Sequence, residues 1–173
     1  MKKLHFLAIL VALSGLAQAA ERDMVPGRFE TSGGGGIAFG DDTGGLATFG
    51  FSAGTSRFVS VTGDYFYSAD SIQIGKEKVK GRQNDFLGGL NVHLPVKGNA
   101  VPYLLGGVGI TSAKVAIGKL AITDSKPQVN LGGGVRMYTG KRFGVKLEAR
   151  WAKAFDLGTE GRVTISIFSQ FGK

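Results

Sequence analysis

The stretch 143–152 reads FGVKLEARWA, and large apolar side chains alternate along it with charged or small ones. On an extended strand, one face would contain the apolar set Phe143, Val145, Leu147, Ala149 and Trp151. The opposite face would contain Lys146, Glu148 and Arg150. Because side chains on a strand point alternately to its two faces, this period of two predicts a β-strand with one apolar and one charged face.

Seven other segments show the same alternation, and no useful helical stripe of apolar residues interrupts them. The eight predicted strands begin near Phe29, Leu46, Val59, Asp85, Val101, Gln128, Phe143 and Val163. The first, second and fifth alternate less clearly, and the fifth does not show which of its faces is apolar. An even number of short alternating strands predicts an all-β, eight-stranded antiparallel up-and-down β-barrel.

The predicted connections alternate in length along the chain. Those after the second, fourth and sixth strands are short, at 54–57, 95–99 and 139–142. Those after the third, fifth and seventh are longer, at 69–81, 113–125 and 154–161, and 40–45 belongs with them. Tight periplasmic turns and longer external loops are typical of outer-membrane barrels, so both termini are expected on the periplasmic side.

The first residues are typical of a secretory signal peptide. Lys2 and Lys3 precede an apolar run from Leu4 to Leu16, and small residues occupy positions 17 and 19. The run is shorter than the roughly 20 residues that a membrane-spanning helix needs. We therefore predict a signal peptide over 1–19, an exported chain, and one barrel domain over 20–173.

The alternation alone does not decide which face is inside. A soluble lipocalin-like barrel would bury the apolar face, whereas a membrane barrel exposes it to lipid. Aromatic residues near strand ends and small residues on the polar face favour the membrane arrangement, and the predicted fold is therefore a transmembrane β-barrel. It predicts a polar network inside the barrel, with a structural role, made of Glu30, Asp64, Asp85, Arg136, Lys146, Glu148 and Arg150.

Three segments resemble conserved strands of the OmpA-like and OmpX-like outer-membrane β-barrel domains. Residues 102–109 read PYLLGGVG, residues 130–138 read NLGGGVRMY, and residues 143–151 read FGVKLEARW. They are similar to the family's PYLGAGVG, GAGVRYY and LRLEARY strands. The resemblance implies a cell-surface, porin-like barrel in the outer membrane of a Gram-negative bacterium, in contact with its lipid and lipopolysaccharide.

The resemblance also implies that the outer-membrane assembly machinery recognises the last strand. In this chain the matching pattern is Ile165, Ile167 and Phe171, with Gly172 and Lys173 after it.

The residues give little sign of catalysis. His93 is the one histidine after the signal peptide, and it lies near a predicted periplasmic turn, where a lumen-facing polar role is expected. Asp41 and Asp42 are expected to form a turn rather than hold a cation. The four glycines 33–36 lack the Lys-Ser/Thr of a phosphate loop. No catalytic residue, metal site or cofactor is predicted.

A basic cluster lies in the second predicted external loop, at Lys76, Lys78, Lys80 and Arg82. It could contact polyanions such as lipopolysaccharide phosphates, or it could form a solvated loop. No aromatic residues are interleaved with it, so nucleic acid is not an expected partner.

These features predict a structural or surface-interaction scaffold, monomeric and without catalytic activity. The alternatives are a small-conductance pore, a lipid A-modifying enzyme and a soluble lipocalin-like carrier. Eight strands leave an interior that side chains can fill, which counts against the pore.

Overall fold

The computed structural model describes residues 26–40, 43–74, 77–94, 96, 98–117 and 120–172. The predicted signal peptide lies outside them. The strands are β1 (Arg28–Phe39), β2 (Thr43–Gly54), β3 (Val59–Ile74), β4 (Glu77–His93), β5 (Ala100–Ile117), β6 (Leu120–Tyr138), β7 (Phe143–Ala154) and β8 (Gly158–Gly172). All eight predicted strands are present. None of the described residues forms a helix long and apolar enough to cross a membrane.

Each strand pairs antiparallel with the next, and β8 pairs with β1 to close the barrel. The connections 55–58, 94–99 and 139–142 lie at the same end as the start of β1 and the end of β8, which we call the termini end. The other four connections lie at the opposite end, which we call the hairpin end. The eight-stranded antiparallel up-and-down barrel predicted from the sequence is therefore confirmed.

The exterior of the barrel is apolar and its interior is polar. Ile167 is 70% exposed and Val108 is 66% exposed, whereas the side chain of Arg136 is fully buried. This arrangement is the reverse of a soluble carrier, in which apolar side chains fill the interior. The prediction of a membrane-type barrel is confirmed, and the lipocalin-like alternative is wrong.

The interior also contains apolar and aromatic side chains, most of which the alternation did not assign to it. One cluster near the hairpin end consists of Ala38, Leu46, Phe66 and Leu87, and another near the termini end consists of Val101, Tyr138 and Phe168. Glycines on the inner face make room for such large groups. A Cβ added at Gly134 would lie 2.7 Å from the hydroxyl oxygen of Tyr103 and 2.5 Å from the carbonyl oxygen of Leu147.

The longer external loops predicted at 69–81, 113–125 and 154–161 are wrong, because strands occupy most of these segments. β3 and β4 leave only residues 75–76 between them, β5 and β6 leave 118–119, and β7 and β8 leave 155–157. The asymmetry between the two ends therefore lies in strand length. β7 has 12 residues and β6 has 19.

The extra strand length forms a sheet that projects beyond the barrel wall at the hairpin end. At about 3.3 Å per residue and a tilt near 40°, β7 rises roughly 30 Å and β6 roughly 48 Å, against an apolar band about 25 Å tall. We call residues 69–74, 77–82, 114–117 and 120–123 the projecting sheet. Its members pair with one another, but β3 pairs with β2 only as far as Ser68, and β6 pairs with β7 only from Gln128.

A polar row of outward positions separates the barrel wall from the projecting sheet. It runs across four strands through the register partners Tyr67, Asn84, Ser112 and Ser125. The hydroxyl oxygens of Ser112 and Ser125 lie 2.7 Å apart, and Tyr65 donates a 2.7 Å hydrogen bond to Asn84. We call these four residues the boundary row, because large apolar side chains cover the outer face only below it.

Above the boundary row the two faces exchange character. The outward positions nearest to it are occupied by Ala69, Arg82, Lys114 and Thr123, which are register partners across four strands. The first inward row still includes the polar residues Gln83 and Asp124, and the next contains Val115 and Ile122, which lie opposite each other. Strand alternation therefore continues past the wall, and its polarity is reversed from the row of Val115 and Ile122 onward.

Candidate functional site

The structure brings all seven predicted interior charges into the barrel, where each is buried. Arg162 is an eighth buried charge, which the sequence analysis missed. Its position could have been read from β8, because residue 162 continues the inward series of Thr164, Ser166 and Gln170. The charges are arranged in three tiers between the termini end and the hairpin end.

The tier nearest the termini end is centred on Arg136. Its Nε donates to Glu30 Oε2 over 3.0 Å, and its Nη2 donates to Glu30 Oε1 over 3.2 Å. Gln170 donates a further 3.0 Å hydrogen bond to Glu30. The guanidinium also lies over the Tyr103 ring, 4.4 Å from its centroid. Glu30 and Arg136 thus form a forked, charge-assisted pair that links β1 to β6 through the interior.

His93 belongs to the same tier and contacts both Arg136 and a serine. Arg136 Nη1 lies 3.0 Å from His93 Nδ1, and Ser60 Oγ lies 3.0 Å from His93 Nε2. A guanidinium has donors only, so Nδ1 accepts and the proton of the neutral ring resides on Nε2. Nε2 therefore donates to Ser60. A serine nucleophile needs the opposite arrangement, in which the ring nitrogen accepts the hydroxyl proton.

The central tier is built around Glu148 and Arg150 on β7. Glu148 accepts 2.5 Å hydrogen bonds from Arg150 Nε and from the Tyr103 hydroxyl. Arg150 Nη2 donates to Asp64 Oδ2 over 2.6 Å, so its guanidinium bridges two carboxylates. Lys146 donates to Ser32 over 3.1 Å and lies 3.9 Å from Glu148. Four strands are thereby joined across the interior.

The tier nearest the hairpin end is centred on Arg162. Its Nη2 donates to Asp85 and its Nε donates to Glu160. Asp85 also accepts from the Thr111 hydroxyl. Arg162 and Arg150 are register partners, but the Phe66 ring lies close to both guanidinium groups, each 4.9 Å from its centroid. Both cations therefore gain cation–π contacts.

The buried charges balance one another. Among residues with described side chains, the buried cations are Arg136, Lys146, Arg150 and Arg162, and the buried carboxylates are Glu30, Asp64, Asp85 and Glu148. Such a network suits stabilisation, because every ion has an oppositely charged or hydroxyl partner. The described residues contain no group of three or more side chains suited to hold a metal ion. Asp41 and Asp42 lie outside them.

The predicted basic cluster falls on β4 of the projecting sheet. Lys78, Lys80 and Arg82 occupy alternate positions of that strand, and Lys76 lies outside the described residues. Lys114 of β5, which the sequence analysis missed, is the register partner of Arg82, and both side chains are exposed. Only the pairing of strands reveals this neighbour, because 32 positions separate the two residues in the sequence.

Comparison with known proteins agrees with this architecture. The sequence matches the profile of the outer membrane protein beta-barrel domain over residues 6–169. The chain belongs to this family. It is accordingly an outer-membrane protein, and its predicted location is confirmed. No curated protein sequence matches it.

Several solved outer-membrane barrels share the fold at low sequence identity. The N-terminal β-barrel domain of OprF from Pseudomonas aeruginosa is 15% identical with a TM-score of 0.69, and the alignment covers 84% of this chain and 98% of that one. Ail, the attachment invasion locus protein of Yersinia pestis, is 14% identical with a TM-score of 0.63, over 85% and 100% of the two chains. Neisserial surface protein A is 11% identical with a TM-score of 0.65, over 83% and 96%.

The last strand of this outer-membrane barrel presents the predicted assembly pattern on its outer face. Ile165, Ile167 and Phe171 are all exposed. Phe171 stacks on Phe29 with ring centroids 5.8 Å apart, and Phe29 stacks in turn on Phe51. These rings lie at the termini end, where an interfacial aromatic girdle is expected.

Proposed function

We propose that this barrel is a rigid, non-catalytic surface scaffold whose projecting sheet binds lipopolysaccharide phosphates. The pairing of Arg82 with Lys114 on the exposed outer face, directly above the boundary row, is the observation that carries the proposal. Lys78 and Lys80 follow at alternate positions of the same strand. Arginine and lysine are the side chains that phosphate oxygens prefer as partners.

The short distance of the Arg82–Lys114 pair from the boundary row favours a lipid partner over a partner in free solution. Arg82 and Lys114 each lie two residues above the boundary row, which is roughly 7 Å along a strand. Phosphates of the outer leaflet are expected at this height, just beyond the apolar band. The lysine and arginine side chains can therefore reach them while their strands stay outside the hydrocarbon.

A barrel of the same fold offers support for polyanion binding. The Yersinia pestis Ail structure has been solved in complex with the heparin analogue sucrose octasulfate. At 14% identity this likeness concerns the fold, so the ligand chemistry must rest on the residues of the chain itself.

The filled interior argues against a small-conductance pore and against a lipid A-modifying enzyme. Charged side chains occupy three successive heights of the lumen, which opposes a conducting path along the barrel axis. Planar-bilayer recording of the unchanged chain should give no reproducible unitary step. Ser60 is fully buried and accepts from His93, which opposes serine chemistry on a lipid substrate.

We further propose that the barrel is a monomer whose last strand is recognised by the outer-membrane assembly machinery through Ile165, Ile167 and Phe171. Their exposure on the outer face of β8 supports access for a partner strand or groove. Phe171→Ala should slow membrane insertion in a reconstituted assembly assay, whereas Phe143→Ala, at the same end, should not. Equal insertion of the two variants would contradict the assembly proposal.

Lipid binding can be tested with the full chain folded in detergent. Native mass spectrometry would compare its retention of bisphosphorylated lipid A, monophosphorylated lipid A and sucrose octasulfate. The triple variant Lys80→Gln, Arg82→Gln and Lys114→Gln should retain about tenfold less bisphosphorylated lipid A, since it loses three charge-assisted contacts. Removing one phosphate from the lipid should weaken binding to the unchanged chain.

A matched control is the double variant Lys141→Gln and Arg142→Gln, which removes exposed basic residues at the termini end. It should bind lipid A as the unchanged chain does. Equal binding by the triple variant would overturn the proposal. Loss of sucrose octasulfate binding alone, with lipid A binding intact, would instead indicate a soluble polyanion as the partner.

A further inference from the structure

A groove of about 310 Å³ opens on the lipid-facing side of the barrel wall. It is lined by Phe49 of β2, residues 63–65 of β3 and residues 86–88 of β4. Its floor contains Gly63 and Gly88, which are register partners and are both exposed on the outer face. The aromatic rings of Phe49, Tyr65 and Phe86 lie beside this glycine pair. The groove is therefore an apolar channel with a flat floor and aromatic sides.

The two glycines are not required by the packing of the wall. A Cβ added at Gly63 or at Gly88 would meet no heavy atom within 4 Å, and neither residue has a positive φ. By contrast, a Cβ added at the inward-facing neighbour Gly89 would lie 2.4 Å from the carbonyl oxygen of Gly106. Glycine weakens the interior of a strand, and it often marks a place where a ligand approaches the backbone closely. The open floor therefore points to an occupant from outside the chain.

The aromatic side of the groove is held in place by contacts within the protein. The rings of Tyr65 and Phe86 lie against each other, with their centroids 4.9 Å apart. The Tyr65 hydroxyl donates a 2.7 Å hydrogen bond to the side-chain oxygen of Asn84, which belongs to the boundary row. One end of the groove is thus fixed at the membrane boundary, and the groove extends from there into the hydrocarbon.

The register of the strands determines what lies above this groove. Followed through all eight strands, the register leads from Phe29 of β1 back to Phe39 of β1, ten residues nearer the hairpin end. At about 3.3 Å per residue and about 4.8 Å between strands, this offset corresponds to a tilt near 40°. A line that descends along the barrel axis from β5 or β4 therefore crosses toward β3 and β2.

The exposed Arg82–Lys114 pair lies almost directly above the groove. At a depth of about 15 Å, the line from Arg82 arrives near Phe49 and the line from Lys114 arrives near Tyr65. Both aromatic residues line the groove. A lipid with its phosphate at the basic pair would have its acyl chains at this depth. The basic pair and the groove thus match the two parts of one phosphorylated lipid.

We propose that the groove holds one acyl chain of the phosphorylated lipid that Arg82 and Lys114 bind, an inference that rests on the function proposed above. Lipid tails are as apolar as the wall, so a chain is held by van der Waals packing and not by the hydrophobic effect. A chain over the glycine pair contacts the floor and the rings beside it. A chain elsewhere on the wall touches the protein on one side only.

The test uses the full chain folded in detergent and native mass spectrometry with two probes. These are bisphosphorylated lipid A and the fully deacylated glucosamine disaccharide bisphosphate made from it. Gly88→Leu fills the groove and should lower retention of lipid A about threefold to tenfold, because packing contacts are lost. Retention of the deacylated disaccharide should not change, because the basic pair is intact. The triple variant of the basic residues should instead weaken retention of both probes.

Ala149→Leu is the matched control. It adds a leucine at an exposed outward position of β7, across the barrel from β3. It should retain both probes as the unchanged chain does. A heat-dependent shift in gel mobility would show that each variant is folded.

Three results would overturn the inference, and they differ in what else they affect. Equal retention of lipid A by the Gly88→Leu and Ala149→Leu variants would exclude the groove and leave the phosphate contacts in place. Equal retention of both probes by the triple variant and the unchanged chain would overturn the proposed function itself. A dimer of the unchanged chain that Gly88→Leu converts to a monomer would assign the groove to a second copy.

Discussion

Ile167 in the barrel wall and Ile122 in the projecting sheet are almost equally exposed, at 70% and 74%. They nevertheless lie on opposite faces. Ile167 is on the outer face, among other apolar side chains of β8, whereas Ile122 is on the inner face, opposite Val115. The same degree of exposure thus corresponds to lipid in one region and to water or a partner in the other.

The comparison shows that the strands alternate on both sides of the membrane boundary. What changes at the boundary is which face of the strands is apolar. Below the boundary row the outer face is apolar, because it contacts hydrocarbon. Above that row the outer face becomes basic or small, and apolar side chains move inward. The strands continue without interruption, since backbone hydrogen bonds between paired strands form equally well on either side.

The largest effect should come from breaking the interior network of the barrel wall. Arg136→Leu leaves Glu30 buried without its ion pair, and loss of one partner of a buried pair costs about 3–5 kcal/mol. We expect the free energy of unfolding in lipid vesicles, measured by denaturant titration, to fall by that amount.

Lys153→Leu is the control for this variant, because it removes a positive charge from an exposed side chain of β7. Its free energy of unfolding should change by less than about 0.5 kcal/mol. Equal effects of the two substitutions would show that the interior pairs contribute no more than surface charge does.

An intermediate effect should distinguish the two isoleucines. Ile167→Lys places a charge in the lipid-facing wall and should cost about 2–4 kcal/mol. Ile122→Lys should cost less than about 0.5 kcal/mol, because the projecting sheet lies outside the hydrocarbon. Denaturant titration in vesicles measures both. A similar loss in the free energy of unfolding for the two variants would contradict the placement of Ile167 in lipid and of Ile122 outside it.

A smaller effect is expected at Phe66, whose ring lies 4.9 Å from the guanidinium of Arg150 and from that of Arg162. Phe66→Leu keeps an apolar side chain but loses both cation–π contacts, at about 1–2 kcal/mol in total. Phe49→Leu alters an exposed ring of the outer face and serves as the control. A larger loss in the control would mean that lipid contact, not the cation–π pairs, explains the effect.

Much of the wall could be predicted from the sequence. The alternation identified the strands, and the aromatic residues near strand ends together with the small residues on the polar face identified the inner face and seven of the interior charges, because lipid-facing positions must be apolar. Phe66, Leu87 and Phe168 were not assigned to the interior, since an apolar residue on a polar face breaks the pattern used to assign it. They fill space that shorter polar side chains leave open.

The projecting sheet could not be predicted by the same reasoning. The outer face loses its apolar residues after Tyr65 and Tyr67, so a rule that seeks an apolar outer face ends the strand there. Arg82 and Lys114 become neighbours only through the pairing of β4 with β5.

The most direct test of the reversed polarity is cysteine labelling, which is simple here because the chain contains no cysteine. Ile110→Cys and Lys114→Cys place a thiol at outward positions of β5 on either side of Ser112. In intact cells, a membrane-impermeant maleimide should label the Lys114→Cys variant and leave the Ile110→Cys variant unlabelled. Equal labelling of both, or labelling of the Ile110→Cys variant alone, would contradict a membrane boundary at this row.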